Sequence, residues 1–372
     1  MKSIFVALLL SIAGLSATAQ TSAISSFIES YTHQHNFNGT VLVQKDSEIL
    51  YQASFGLANR EFKIPFNDET KYKICSITKS FTAALILQLY EQGKIELNAK
   101  ISAYLPDYAG EGATRVSIHQ LLNHTSGLAN TDTVKSLENA LKYGIGFYNK
   151  PYTSDQLVKN FCSNRLVNEP GKKFDYNNGD YIILGKILER IYHKSYEKIL
   201  SDQILTPLHM YHSGLLSQDK LVDSLSNTYF LRTDLNQIVP DLPMYNQDWY
   251  AAGAMYSNTK DLLKFFNALF DLKLIKKETL ALMLKPGLDN YGYSVWIRDY
   301  TGANIKYKRM ERYGSILGAN AVVFRYLNEN VTVIVLSNTN LTDLGDFAVN
   351  IGEASFNLED GDLIGVTGDI MI

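Results

Sequence analysis

The stretch KYKICSITKSF, residues 71–81, sets Ser76 and Lys79 three residues apart at the head of a long apolar run. That run, SITKSFTAALILQLYEQ (76–92), reads as a helix without a polar face, stopping at Gly93. A helix hydrophobic all round belongs at the centre of a fold. Residues three apart share a helical face, so Lys79 lies against the Ser76 hydroxyl. A buried lysine tends to lose its proton, and a neutral amine can accept the serine proton. The hydroxyl would also stand at the positive end of the helix, where a developing oxyanion is stabilised. The competing reading is a capping serine followed by a snorkelling lysine.

Spacing alone does not choose, because Ser-x-x-Lys recurs at Ser195–Lys198, Ser217–Lys220 and Ser257–Lys260. Ser257 reads as a helix N-cap with Asp261 near the positive helix end. Ser195 reads as a mid-helix residue on a solvated face, and Ser217 as part of a polar loop. Only Ser76 heads a buried helix.

Working outward, residues 22–35 have helical periodicity, and GTVLVQKDSEILYQASFGLA reads as a hairpin turning at Lys45-Asp46-Ser47. From about 94 to 250 the pattern is loops and short helices, including the amphipathic GDYIILGKILERIYHKSYEKIL. A helix follows at 258–272, then strands at YGYSVWIRD, IKYKRMERYG, ANAVVFRYL and NVTVIVLSN, and a closing helix at TDLGDFAVNIGEASF. The order predicts an α+β fold: an antiparallel sheet built from both ends of the chain, flanked by helices, with an inserted helical subdomain. The expected sheet part is about 22–75 and 251–356, and the helical part about 76–250.

The chain has 372 residues, 46% hydrophobic and 20% charged, with net charge −3. No basic stripe suggests nucleic acid. Residues 1–19 read as a signal peptide: Lys2, an apolar core, then Ala17-Thr18-Ala19 before Gln20. The expectation is an exported protein, periplasmic or secreted, with no membrane span. Residues 20–356 would form the folded unit and 357–372 an acidic, Gly-rich tail. Cys75 and Cys162, far apart in sequence, are expected as two buried thiols. Cys75 beside Ser76 ranks well below it as a nucleophile.

PGKKFDYNNGDYIILG (170–185) adds Tyr176 and Asn178, a phenol and a carboxamide two residues apart just before a helix. With this segment in place the chain resembles the serine β-lactamase and penicillin-binding-protein superfamily, on the side of class C β-lactamases, D-alanyl-D-alanine carboxypeptidases and related esterases. The carrying segments are GTVLVQKDSEILYQASFGLANRE, ICSITKSFTAALILQLYEQGKIEL, VSIHQLLNHTSGL, PGKKFDYNNGDYIILGKILE and GAMYSNTKDLLKF, in the family's order. The resemblance implies the β-lactamase/transpeptidase-like fold and a hydrolase with no cofactor. Ser76 would be the acylated nucleophile, Lys79 its base, Tyr176 the proton shuttle and Asn178 a substrate-binding amide. His124 of HTSGL would be framework. The partner would be a small-molecule or peptide substrate, peptidoglycan-derived in one version.

The third motif departs. The family usually carries Lys-Thr-Gly or His-x-Gly, where ERYGSILGANAVVF offers Arg312-Tyr313-Gly314. The rival Tyr300-Thr301-Gly302 has no cation. Arg312 is expected to grip a substrate carboxylate, and Tyr313 to narrow the cleft against fused β-lactam rings. The resemblance also implies an oxyanion hole from the backbone N–H groups of Ser76 and Ser315. Ester or peptide hydrolysis is therefore expected to exceed β-lactam hydrolysis. The alternative is a penicillin-binding-like sensor without turnover. No Gly-x-Ser-x-Gly elbow, His-Glu-x-x-His, Cys-x-x-Cys or Walker loop supports another enzyme class.

Overall fold

A computed structural model describes residues 23–132, 134, 136–301 and 306–355; the expected leader at 1–19 and the tail at 357–372 lie outside them. The elements that position the site are, in chain order, helix α1 (23–35) and strands β1 (Gly39–Lys45) and β2 (Glu48–Phe55). Helices α2 (Thr78–Glu91), α3 (Asn178–Tyr192) and α4 (Thr259–Phe270) follow. The chain closes with strands β3 (Trp296–Thr301), β4 (Lys306–Ile316), β5 (Ala319–Tyr326) and β6 (Val331–Ser337), and helix α5 (Leu344–Ala354).

The six strands form one sheet in the order β3-β4-β5-β6-β1-β2, antiparallel at every pairing. The N-terminal hairpin docks on the C-terminal strand, with Gly39 opposite Ser337 and Lys45 opposite Val331. The sheet is thus assembled from both ends of the chain. Side chains alternate between its faces. Leu42, Val323, Ile334 and Leu336 join the large core around α2, α3 and α4. Val41, Val43, Val322, Phe324 and Val333 face the other way, against Ile24 and Ile28 of α1 and Phe347 and Ile351 of α5.

Helix α2 runs through the middle, as its missing polar face requires. Every residue from Thr78 to Leu87 is buried. Phe81 stacks on Phe265 of α4, ring centroids 3.7 Å apart. The α-helix begins only at Thr78, because Cys75–Ile77 form a 3-10 turn ahead of it.

Three local expectations are corrected. Asn258, not Ser257, caps α4 by accepting the Asp261 N–H, and Ser257 ends a short strand with its hydroxyl on Ser213. The amphipathic segment after Asn178 is two helices, because His193 turns left-handed (φ 52) and Ser195 caps the second. A strand pair, Tyr229–Arg232 with Gln237–Pro240, lies where only loops and short helices were expected. No helix among the described residues is long and apolar enough to cross a membrane.

Candidate active site

Ser76 sits where three pieces of backbone converge. The residue before it, Cys75, holds a left-handed φ of 48°, uncommon for a side chain other than glycine. That turn swings Ser76 out of a buried run, so it keeps partial access while Cys75 and Ile77 on either side are buried. Strand β4 runs alongside. A Cβ on Gly314 would stand 2.3 Å from the Ile74 carbonyl oxygen, so only glycine allows this approach. Beyond Glu311, opposite Trp296, β4 has no pairing to β3, which leaves that edge open beside the turn. Ser315, three residues past Arg312, is exposed there.

Lys79 is fully buried. Its Nζ lies 3.0 Å from Ser76 Oγ, 2.6 Å from Asn178 Oδ1 and 2.9 Å from the Ala252 carbonyl oxygen. Two of these partners only accept. A deprotonated lysine has two N–H groups and one lone pair, so in that form the N–H groups would go to Asn178 and Ala252 and the lone pair would face Ser76. Burial drives the lysine pKa down; the Tyr176 phenol opposes this and the Arg312 guanidinium adds to it.

Asn178 begins α3, whose N-cap Asn177 accepts the Gly179 N–H. Its Nδ2 donates to Asp132 Oδ2 at 2.7 Å, and Asp132 Oδ1 accepts the Tyr148 hydroxyl at 2.7 Å. Both ends of the amide are therefore engaged by protein. Sequence reasoning did not find Asp132: it follows HTSGL on an irregular segment with no motif of its own.

Tyr176 is partly open, its ring stacked on Trp296 at 5.9 Å and tilted against His124 at 4.4 Å. Its hydroxyl accepts from Arg312 Nη2 at 3.0 Å. Burial alone would push this phenol up. The Arg312 and Lys79 cations, with hydrogen bonds from Lys79 and Ser76, outweigh burial and bring its pKa down to about 8. Behind it His124 is buried, with Nδ1 2.9 Å from Asp180 Oδ2. Burial, with Lys79 and Arg312 nearby, holds that imidazole well below its usual range.

Arg312 requires a correction. It points at the nucleophile but is fully buried, and all its donors are taken. Nε donates to the Ser76 carbonyl oxygen at 2.8 Å, and Nη1 to Tyr291 Oη and the Ser294 carbonyl oxygen at 3.1 and 2.7 Å. Nη2 serves the Ser76 carbonyl oxygen and the Tyr176 hydroxyl. A guanidinium has five N–H groups, and none is left for a substrate carboxylate. Tyr313 also differs from expectation. Alternation turns it to the opposite face, packed on the second core with its hydroxyl on Glu311 at 3.1 Å, so its bulk does not narrow the cleft. Both cysteines are free and buried, and burial pushes the Cys75 thiol up to about 12.

The beta-lactamase family model matches residues 24–354. Among curated relatives, the putative penicillin-binding protein PbpX of Bacillus subtilis is 29% identical over 271 residues, 73% of this chain and 64% of that protein. The chain thus spans just under two thirds of that relative's length. A penicillin-binding protein from Bacillus halodurans superposes with a TM-score of 0.71 at 26% identity, over 84% of this chain and 94% of that one. The D-amino acid amidase of Ochrobactrum anthropi SV3 has the same fold, with a TM-score of 0.78 at 19% identity, over 92% and 100% of the two chains. With a family match across nearly the whole folded region, and Ser76 and Lys79 in hydrogen-bond contact within it, this chain belongs to the beta-lactamase family of the serine hydrolase superfamily.

Proposed function

We infer that the protein is an exported hydrolase that cleaves an ester, amide or peptide through an acyl-enzyme on Ser76. The observation that carries this is the 3.0 Å contact between Ser76 Oγ and a fully buried Lys79 whose other two contacts are acceptors only. Lys79 takes the serine proton as Ser76 Oγ attacks the scissile carbonyl. Tyr176, a phenol near pKa 8 beside both groups, passes that proton to the leaving group and then activates water. The backbone N–H groups of Ser76 and Ser315 stabilise the oxyanion, with Gly314 allowing the close approach of the two segments. Asn178 orients Lys79 and borders the substrate.

Amidase- or esterase-like turnover fits better than efficient β-lactam hydrolysis or carboxypeptidase action, whose substrates both carry a carboxylate near the scissile bond. A β-lactam carries a carboxylate beside its ring, and Arg312 has no donor free to meet it. The D-amino acid amidase neighbour supports amide chemistry on this fold. Export rests on the signal-like pattern of residues 1–19.

The test is intact mass after exposure to an activated ester and to a β-lactam, with turnover followed on a panel of esters and D-Ala-D-Ala peptides. Wild type should gain one acyl group and release it, and folded Ser76→Ala should gain none. Full labelling of Ser76→Ala removes the nucleophile assignment. A single labelling without release favours a sensor of the same fold.

A further inference from the structure

The Asp132 carboxylate accepts from Asn178 Nδ2 and from the Tyr148 hydroxyl, each at 2.7 Å. Both donors are neutral, and among the described residues no lysine or arginine pairs with it. Two carboxylate oxygens offer about four lone-pair sites, so about half of that capacity remains for another donor. Tyr148 is 3% exposed, and Thr131 and Asn178 are buried, so protein covers those sides. Asp132 itself keeps partial access to solvent. Its open side therefore lies away from Tyr148, beside the amide whose other end meets Lys79 at 2.6 Å. Lys79 in turn meets Ser76 Oγ at 3.0 Å. Three hydrogen bonds in series thus join this carboxylate to the nucleophile.

The cations around the nucleophile are already engaged. Arg312 gives its donors to the Ser76 and Ser294 carbonyl oxygens and to the Tyr291 and Tyr176 hydroxyls. Arg298, half exposed on β3, lies 3.3 Å from Glu311 Oε2. Lys79 has to be neutral to act as the base. A substrate carboxylate therefore finds no free guanidinium and is repelled by Asp132. A substrate ammonium finds a charged acceptor with capacity to spare, and charge-assisted hydrogen bonds are the stronger kind. The ammonium belongs on the acyl side. The leaving group takes its proton at the Tyr176 hydroxyl, 3.0 Å from Arg312 Nη2, where a second cation is repelled.

We propose that Asp132 selects acyl groups carrying a primary ammonium within a few bonds of the scissile carbonyl, as amino-acid esters and amides do. The carboxylate that orients Asn178 thus also reads the substrate. The assignment names the substrate class of the site inferred above, and rests on that reading for turnover but not for binding.

Two measurements keep the two ideas separate. The first uses Ser76→Ala, which forms no acyl-enzyme, and titrates it by ligand-observed NMR with D- and L-alanine amide and with isobutyramide. Isobutyramide has a methyl group in place of the ammonium. One alanine amide enantiomer should bind more tightly than isobutyramide by roughly 10-fold, the lower end for a hydrogen bond to a charged group because Asp132 is part-exposed. Adding Asp132→Asn, which keeps an acceptor for Asn178 and removes the charge, should erase that difference. The second measurement compares kcat/KM for an alanine ester with that for the matching isobutyrate ester, below the pKa of the amine. The ammonium activates its own carbonyl, an effect that cancels when the wild-type ratio is set against that of Asp132→Asn. The ratio should fall roughly 10-fold in the variant, whatever uniform loss the substitution brings. Equal binding of the amides to Ser76→Ala, a preference that survives Asp132→Asn, or an unchanged ratio overturns the ammonium role even if Ser76 is acylated as inferred. A binding preference that Asp132→Asn erases, with no acylation of wild type by any ester, leaves the ammonium role standing and removes the hydrolase reading instead.

Discussion

Asp132 Oδ2 accepts the Asn178 amide N–H₂ at 2.7 Å, and this one contact decides which end of the amide meets Lys79. A carboxylate only accepts, so Nδ2 must face it and Oδ1 must face the amine. Without Asp132 the amide is free to turn and offer Lys79 a donor. Asp132→Ala should therefore lower kcat by roughly 10- to 150-fold, the range for a hydrogen bond to a charged group, with the protein still folded. Steady-state ester hydrolysis beside a circular dichroism spectrum checks this. A kcat within twofold of wild type removes the orienting role.

The pH profile follows from Tyr176. In activating water Tyr176 works deprotonated, so the rate of deacylation, read as release of the acyl group from preformed acyl-enzyme, should rise with pH through about 8 and level off above it. Arg312 lies 3.0 Å from that hydroxyl and favours the phenolate. Replacing it by Gln removes a cation and should move the rise upward by about one to three units. Tyr176→Phe should abolish the rise. A wild-type profile flat between pH 6 and 10 contradicts this assignment.

Lys79→Arg tests the base directly. The guanidinium keeps the charge but does not deprotonate. It has five N–H groups where the pocket holds Ser76 Oγ, Asn178 Oδ1 and the Ala252 carbonyl oxygen. Acylation measured by stopped-flow with an activated ester should become too slow to follow. Normal burst kinetics in this variant would refute Lys79 as the base.

Gly314→Ala probes the approach of β4 to the nucleophile turn. The added methyl would meet the Ile74 carbonyl oxygen at 2.3 Å, with Ser76 N at 3.2 Å. Backbone must shift, at a cost of about 1–3 kcal/mol. Urea unfolding should show that loss, and acylation should slow as the two N–H groups separate. An unchanged urea midpoint would mean the strand moves freely.

Much of the fold was legible because its signals are local. The apolar ring of α2, the hairpin alternation around Asp46 and the four C-terminal strands each follow from side-chain periodicity over a few residues. Ser76 and Lys79 were legible for the same reason, since one helical turn joins them. Asp132, Tyr291, Ser294 and the Ala252 carbonyl were not, because each reaches the site from a distant loop or short helix with no periodicity. The misreadings of Arg312 and Tyr313 are of another kind. Alternation along β4 settles which face each takes, but an unpaired arginine and a satisfied one look alike until their acceptors are placed. Ser257 and Asn258 differ by one residue, a cap position that propensity does not resolve.

The inaccessibility of both native thiols has a practical side. Cys75 and Cys162 are buried, and burial raises both thiols, Cys75 to about 12. Toward maleimides at neutral pH the folded protein should behave as if it had no cysteine. A single engineered thiol can then be labelled without first removing the native pair. Leu221 is fully exposed and lies in the wall of a cavity of about 530 Å³ that Lys73 and Asp241 also line. A polarity-sensitive dye on Leu221→Cys would turn that cavity into an optical reporter, read in a fluorimeter while the nucleophile remains intact.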